Sequence, residues 1–394
     1  GMGERQQVAA QAAEALERLA RAGEFRPALI GFDGFIDAIT EAVDTRHDMT
    51  PRGYTRMRTI TQFASRAAAA AGKSTNIELV VAEERFGGNG PLMAGALGRV
   101  GVPVTYVGGV GQKERPTELH PVFEPFAQRC RAVYPICPPA HTDALEFDDG
   151  KIMFNRPAAA QAVTWERIVE VVGLDQLTRL VDEAALLGIV NWSLLGGVEG
   201  IWRGLMRDVL QRMRNTKSRR VFIDLSDPAK RTDEDVRRAM ELLAELNQHV
   251  PVTLGLNLAE AERMARVFGG PSVYPPQQSA RSLGEYVKKL CCGLKARSPF
   301  SGIDTIVVHP REGAAAARGE DSAWFDGPFT PTPRLSTGAG DHFNAGFALG
   351  QVHGLPLEQC LAVGCAVSGA YVRDAESPSL ERLVGFLRAL PEMA

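Results

Sequence analysis

In the stretch "LSTGAGDHFNAGF" (335–347), Thr337 and the small residues Gly338, Ala339 and Gly340 stand directly before Asp341 and an apolar helical run. Small residues let the backbone turn tightly and bring successive N–H groups to one point at a helix start, where negative charge is favoured. A phosphoryl group in transfer would be such a charge. Asp341, in the first turn, could then accept a proton from an incoming hydroxyl. Taken alone, the same residues also read as a plain turn whose acid complements the helix dipole.

Other glycine-rich stretches carry less chemistry. "AAAAAGKST" (67–75) lacks the first glycine of a phosphate-binding P-loop and follows a helix, so it reads as a helix C-terminus with Gly72 as cap and Lys73 at the negative end of the dipole. "FGGNGPLMAG" and "VGGVGQKE" both miss the third glycine of a dinucleotide fingerprint, which argues against a nicotinamide-dependent oxidoreductase. Asn257, followed three residues on by Glu260, reads as a helix N-cap with its capping partner. The six cysteines form no CxxC pair and the seven histidines no HExxH, so a thiolate or histidine metal site is not expected.

The elements that must position these residues follow a rhythm. "RPALIGFDGFIDAIT", "VPVTYVGGVG", "ALLGIVNWSLL", "RRVFIDLSDP", "PVTLGLN" and "DTIVVHPREG" carry apolar strands, separated by helical stretches such as 233–247 and 258–268. Apolar strands without polar alternation, divided by helices, predict a parallel sheet covered on both faces. Trp192, in such a strand, is expected in the core. "ALEFDDGKIMFN" predicts a hairpin around Asp148-Asp149-Gly150, and "NIELVVAEERFGG" a half-polar strand. Together they predict a small sheet standing off the main one, within a single domain over 1–394. Its segments, about 38–60, 76–89 and 141–158, would act as a lid, and its open face could pair with a second copy as a homodimer.

With 44 Lys and Arg against 47 Asp and Glu, the net charge is -3 and no basic run stands out, so neither nucleic acid nor an anionic membrane is an expected partner. The apolar region 184–202 is broken by Asn191, Ser193 and Glu199, too polar for a membrane span. Gly1-Met2 reads as an addition ahead of the natural start, no secretory signal is expected, and free thiols fit a cytoplasmic protein.

"STGAGDHFNAGF" resembles the C-terminal signature of the ribokinase-like (phosphofructokinase-B) carbohydrate kinases, usually D-T-x-G-A-G-D-x-F-x-A-G-F. "FGGNGPLMAGALGRVG" (86–101) resembles their N-terminal Gly-Gly signature, "NLAE" (257–260) their N-x-x-E motif, and "GFDGFIDAI" (31–39) their first strand and substrate aspartate. The resemblance spans 28 to about 387. It implies an α/β fold, three-layer α/β/α, with a central mostly parallel sheet and a small β-sheet lid. It implies transfer of the γ-phosphoryl of ATP to a hydroxyl, a CH2OH, of a sugar or related polyol, with Asp341 as general base and the amides of Gly338, Ala339 and Gly340 as anion hole. Asn257 and Glu260 would organise Mg2+ through water. Asp37 would hold sugar hydroxyls, with Asp33 either sharing that task or making its own turn, and Gly87, Gly88 and Asn89 would close against the substrate. Thr337, His309 and Gly313 fall on the nucleotide side, where "VVHPREGA" (307–314) and "AVSGAYVRDAESP" (366–378) would flank the adenine; the 152–155 arm of the hairpin would border the acceptor.

Departures from the pattern matter too. Leu335 stands where the family has an aspartate that helps bind a monovalent cation, which puts potassium dependence in question, and Leu92 replaces an asparagine used for ribose-like substrates. "GFDGFIDAI" and the long segment 44–85 are also similar to the ADP-dependent sugar kinases, which leaves ADP as the alternative donor to ATP. A nucleoside or vitamin-precursor kinase and an inactive ligand sensor on the same fold are the alternatives.

Overall fold

The computed structural model describes residues 3–392 apart from 215 and 270–281. Short, wholly apolar runs form the parallel strands β1 (Ala28–Phe32), β5 (Val104–Gly108), β9 (Leu186–Val190), β11 (Val252–Leu256) and β12 (Thr305–Val308), every residue of them buried. With β6 (Ala132–Pro135), β10 (Arg220–Asp224) and the pair β13 (Gly313–Arg318) and β14 (Asp321–Asp326) they make a nine-stranded sheet in the order β14-β13-β12-β11-β10-β9-β1-β5-β6. Only the β12-β13-β14 edge is antiparallel. Because alternate side chains leave a sheet on opposite faces, neighbours Leu29 and Ile30 of β1 enter two different cores.

One face carries α1 (Glu4–Arg21), α3 (Asn89–Val100), α4 (Glu124–Ala127), α11 (Ala339–Val352), α12 (Leu357–Asp374) and α13 (Leu380–Arg388), packed around Leu16, Met93, Phe347 and Leu361. The other carries α5 (Trp165–Val172), α6 (Leu174–Glu183), α7 (Val198–Gly204), α8 (Asp233–Asn247), α9 (Leu258–Phe268) and α10 (Leu283–Lys295) around Trp202, Leu243, Met264 and Leu290. Each such side chain, wholly buried, contributes about 1.5–3 kcal/mol. Helices α11 and α12 approach closely because their contact is lined with glycine: a Cβ on Gly346 would lie 2.6 Å from the Val363 carbonyl, and one on Gly364 2.7 Å from the Phe343 ring.

The smaller sheet begins where β1 ends. After Asp33-Gly34 the chain continues as β2 (Phe35–Arg46), which pairs with β4 (Leu79–Gly87) on one side, and with β3 (Tyr54–Arg56) and β7 (Ala140–Phe147) on the other. β7 turns at Asp148-Asp149 into β8 (Gly150–Arg156). Helix α2 (Ile60–Ala69) covers this sheet with Phe63 against Met57, Leu145 and Phe147. The alanine tract ends α2, and Gly72 takes the left-handed conformation (φ 78°) just beyond it. Among the described residues no helix is long and apolar enough to cross a membrane.

Candidate active site

In a parallel sheet, ligands bind beyond the carboxyl ends of the strands, and here those ends are marked by polar residues. Asp33 follows β1, Asn191 follows β9, Asp224 ends β10, Asn257 follows β11 and His309 follows β12. The N-termini of α3, α9 and α11 open onto the same region.

Asp33 sits behind the cavity that Asp37 faces, its carboxylate engaged by protein donors. It is fully buried, accepting the N–H of Gly90 at 2.7 Å, the N–H of Asn89 at 2.9 Å and the Asn191 amide at 2.8 Å. A carboxylate with three donors caps α3 from a distance and holds the Gly87-Gly88-Asn89 turn in place. Burial pushes it up to about 6 against those hydrogen bonds. The glycines are required: Gly88 has φ 99°, and a Cβ on Gly87 would sit 2.2 Å from an Asp37 oxygen.

Asp37, from β2, faces a cavity of about 390 Å³ together with Gly88, Asn89, Thr142, Asn191 and Asp341. Burial, then the neighbouring charge of Asp33, raises its carboxyl to about 6. Gly87 is buried behind it. Asn155, on β8, accepts the Thr142 hydroxyl at 3.0 Å; both line the cavity, as do Met153 and Lys230. Trp192 is core as expected, 1 % exposed, with the Arg231 guanidinium 3.9 Å from its ring centre.

Asp341 is the third residue of α11. Its carboxyl keeps some surface on the cavity while protein crowds it on other sides; burial first, then Asp224, Asp33 and Asp37, raise it well above the usual carboxylate range, against the opposing pull of the nearby Asn89 amide. Gly338, the N-cap, has φ 90° and no side chain to cap the helix. The Ala339 N–H turns back onto the Ser336 carbonyl at 3.2 Å, a correction to the expected trio of free amides. Those of Gly338, Gly340 and Asp341 have no backbone partner.

On the far side of this turn lies a second cavity, about 340 Å³, bordered by Ala339, Gly340, His309, Gly313, Phe329 and Val372. His309 stacks on Phe343 (centres 4.6 Å apart, 24°), and burial lowers it to about 4, so it is neutral at ordinary pH. Gly313 packs by necessity, since a Cβ there would meet the Phe325 carbonyl at 2.4 Å. Thr337, expected on the nucleotide side, lines the Asp37 cavity instead. It also borders a third space of about 380 Å³ that holds Leu335, His342 and Tyr371.

Asn257 lines the second cavity and forms a reciprocal cap with Glu260: Asn257 Oδ1 accepts the Glu260 N–H at 2.8 Å, and Glu260 Oε1 accepts the Asn257 N–H at 2.7 Å. The other Glu260 oxygen is buried with no hydrogen-bond partner. Burial, then Asp224, raises this carboxyl to about 8. Asp224, which the sequence reading missed, accepts the Ser226 N–H at 2.8 Å and the Asn344 amide at 2.5 Å. The signal for Asp224 and Asn191 was their place at the ends of buried strands; Asn191 also has φ 70°. Among the described residues no three His, Cys, Asp or Glu form a self-sufficient metal cage.

A family model described as prokaryotic ketohexokinase matches residues 5–389. The ketohexokinase of Haloferax volcanii is 31 % identical over 364 residues, 91 % of this chain and 90 % of that protein. At the level of fold, the chain resembles an Arabidopsis thaliana ribokinase solved with ribose and ATP (TM-score 0.58, 16 % identity, 92 % of this chain and 98 % of that one). It also resembles a Cryptococcus neoformans ribokinase solved with ADP (TM-score 0.59, 16 % identity, 92 % and 99 %).

Proposed function

The chain belongs to the prokaryotic ketohexokinase family of ribokinase-like carbohydrate kinases and is an ATP-dependent sugar kinase; we propose that its acceptor is a ketohexose, phosphorylated on a CH2OH, with Asp341 as general base. One observation carries the reading: the first turn of α11 is a wall between two cavities, Asp341 and Gly338 facing one, Ala339 and Gly340 the other. The acceptor belongs in the cavity with Asp37, Asn89 and Asn155, whose donors and acceptors match sugar hydroxyls. The adenine belongs between His309 and Val372.

Asp341 takes the proton of the attacking hydroxyl while that oxygen bonds the γ-phosphorus and the bond to the β-phosphate oxygen breaks, releasing ADP. The free amides of Gly338 and Gly340 hold the charge on the equatorial oxygens. Lys230, exposed at the cavity rim, adds positive charge on the same side. The unpartnered Glu260 oxygen beside Asp224 fits a magnesium ion held partly through water, the usual manner for an ion shared with phosphates. When bound, such an ion neutralises phosphate charge; Asn257 and Glu260 would organise its waters.

The small sheet serves as the lid that excludes water. Its edge strands β4 and β8 leave Leu79, Val81, Met153 and Phe154 exposed, so a second copy pairing there is the proposed dimer; a monomer in light scattering at micromolar concentration removes it. Six unpaired thiols suit a reducing, cytoplasmic compartment. The function is tested with Mg-ATP over ketohexoses, aldohexoses, pentoses and nucleosides: ketohexose turnover is expected to lead, and preference for a nucleoside would overturn the assignment.

A further inference from the structure

Donors that grip a transition state are only as well aimed as the peptide planes carrying them. A trans peptide holds its C=O and N–H on opposite sides of one rigid plane, so fixing the carbonyl of one residue fixes the N–H of the next. At the α11 turn, two side chains outside the reaction cavities do this. Tyr371, from α12, donates its hydroxyl to the Thr337 carbonyl at 2.5 Å, which sets the plane carrying the free Gly338 N–H. His342 Nδ1 lies 2.7 Å from the Gly338 carbonyl, which sets the plane of the Ala339 N–H that closes on Ser336.

The two side chains support each other. The His342 and Tyr371 rings stack with centres 3.6 Å apart at 13°. Ser377 Oγ lies 2.8 Å from His342 Nε2; with Nδ1–H donating to a carbonyl, Nε2 accepts from that hydroxyl, and one neutral tautomer satisfies both contacts. His342 is fully buried and Tyr371 is 6 % exposed. A Cβ at position 338 would lie 2.9 Å from the Tyr371 oxygen, so the phenol reaches the carbonyl only because the residue there is glycine. Tyr371, His342 and Ser377 border the third space, not the acceptor or nucleotide cavity.

We propose that Tyr371 and His342, with Ser377 behind them, are positioning residues of phosphoryl transfer: they lock the 337–339 peptide planes so that the Gly338 amide points at the γ-phosphoryl oxygens in the transition state. The inference rests on the assignment of the α11 turn as the phosphoryl site. A brace of this kind acts on the step in which charge shifts, so it is read in kcat and not in KM. A packing role alone would instead lower thermal stability and disturb both KM values.

Tyr371→Phe keeps the ring and the stack and removes only the hydroxyl. With D-fructose as acceptor, kcat is expected to fall about 10- to 30-fold, less than the loss of a whole oxyanion donor. KM for D-fructose and for ATP should stay within about twofold, at an unchanged Tm. Binding of ADP with aluminium fluoride should weaken by the same factor as kcat while ADP alone binds normally. His342→Phe should match this loss, and His342→Asn, which restores a donor near the Nδ1 position, should recover most of it. Wild-type kcat in Tyr371→Phe, or a kcat that falls only in step with Tm and both KM values, overturns the brace. Wild type and Asp341→Asn run beside it: an inactive wild type sinks the site assignment, whereas an active wild type, a dead Asp341→Asn and an unaffected Tyr371→Phe sink the brace alone.

Discussion

Helices α9 and α11 begin beside the same cavities, each with an acid at its third position, and they use it in opposite ways. In α9, Glu260 reaches back to the N-cap N–H while Asn257 takes the Glu260 N–H. Both donors are consumed within the helix. In α11 the N-cap is Gly338, which has no side chain to offer, and Asp341 faces the cavity. A side-chain cap is worth about 1 kcal/mol, so α11 gives up about that much stability and keeps its amides for a ligand. Helix α3 is a third case, its first amides occupied by Asp33 from another segment. Of the three starts, only α11 is free to bind an anion.

The largest test breaks this comparison at its centre. Asp341→Asn keeps the shape of the site and removes the proposed base, so kcat should fall at least about 100-fold, about 3 kcal/mol or more, with Tm not lowered; steady-state kinetics and a melt check both. The wild-type rate should rise with pH through a value above the ordinary carboxylate range, because burial and the neighbouring acids raise Asp341, and the variant should lose that limb. Next, Asp33→Ala removes the remote cap of α3. The turn that presents Gly88 and Asn89 loses its anchor, so KM for the ketohexose should rise about tenfold, the equivalent of about 1.4 kcal/mol, with KM for ATP unchanged. A rise in both would mean that the α3 and α11 starts are not separate.

Much of this was legible in the sequence because it is carried by local pattern. The glycine run before Asp341, the Gly-Gly turn and the apolar strands depend on backbone requirements that residue type expresses directly. The partners of Asp33 were not legible: its type allowed a sugar contact or a turn of its own, and the donors that hold it lie 56 and 57 residues on, with Asn191 158 residues on. The β13-β14 hairpin was missed for another reason. "GAAAAR" has low β propensity, and it is a strand because its backbone pairs with β12 on one side and β14 on the other while its residues up to Ala317 are buried. Asp341 could be named from the sequence, but the loss of the Ala339 amide to Ser336 could not, since that depends on how one turn closes.

Glu260→Gln sharpens the contrast from the α9 side. The folded protein holds a proton on Glu260 up to about pH 8, against an ordinary value of 4.5, so this group's contribution to stability is present at low pH and is lost as pH rises through about 8. Glutamine keeps the oxygen that accepts the Asn257 N–H and carries no charge. Tm at pH 9 should therefore rise by about 2–5 °C relative to wild type, and by nothing measurable at pH 4. Turnover with Mg-ATP should fall several-fold, and the magnesium concentration at half-maximal rate should rise. A less stable Glu260→Gln at pH 9 would mean that the carboxylate is satisfied in the folded state, and the contrast with α11 would lose one side.

The smallest effect is expected where the reading gives the phosphates to amides and leaves His309 an apolar role. His309 follows β12 at the nucleotide cavity and could be taken for a cationic phosphate ligand. Burial lowers it to about 4 and its ring lies on Phe343, so above about pH 5 it offers surface and no charge. KM for ATP should show no imidazole inflection between pH 5.5 and 8, the range in which an ordinary histidine titrates. His309→Leu, which retains apolar bulk, should raise it no more than about threefold, within the value of one buried methylene. If instead KM for ATP shows an inflection near 6.5 that His309→Leu abolishes, the imidazolium touches phosphate, and the free amides of α11 are not sufficient by themselves to hold the anion.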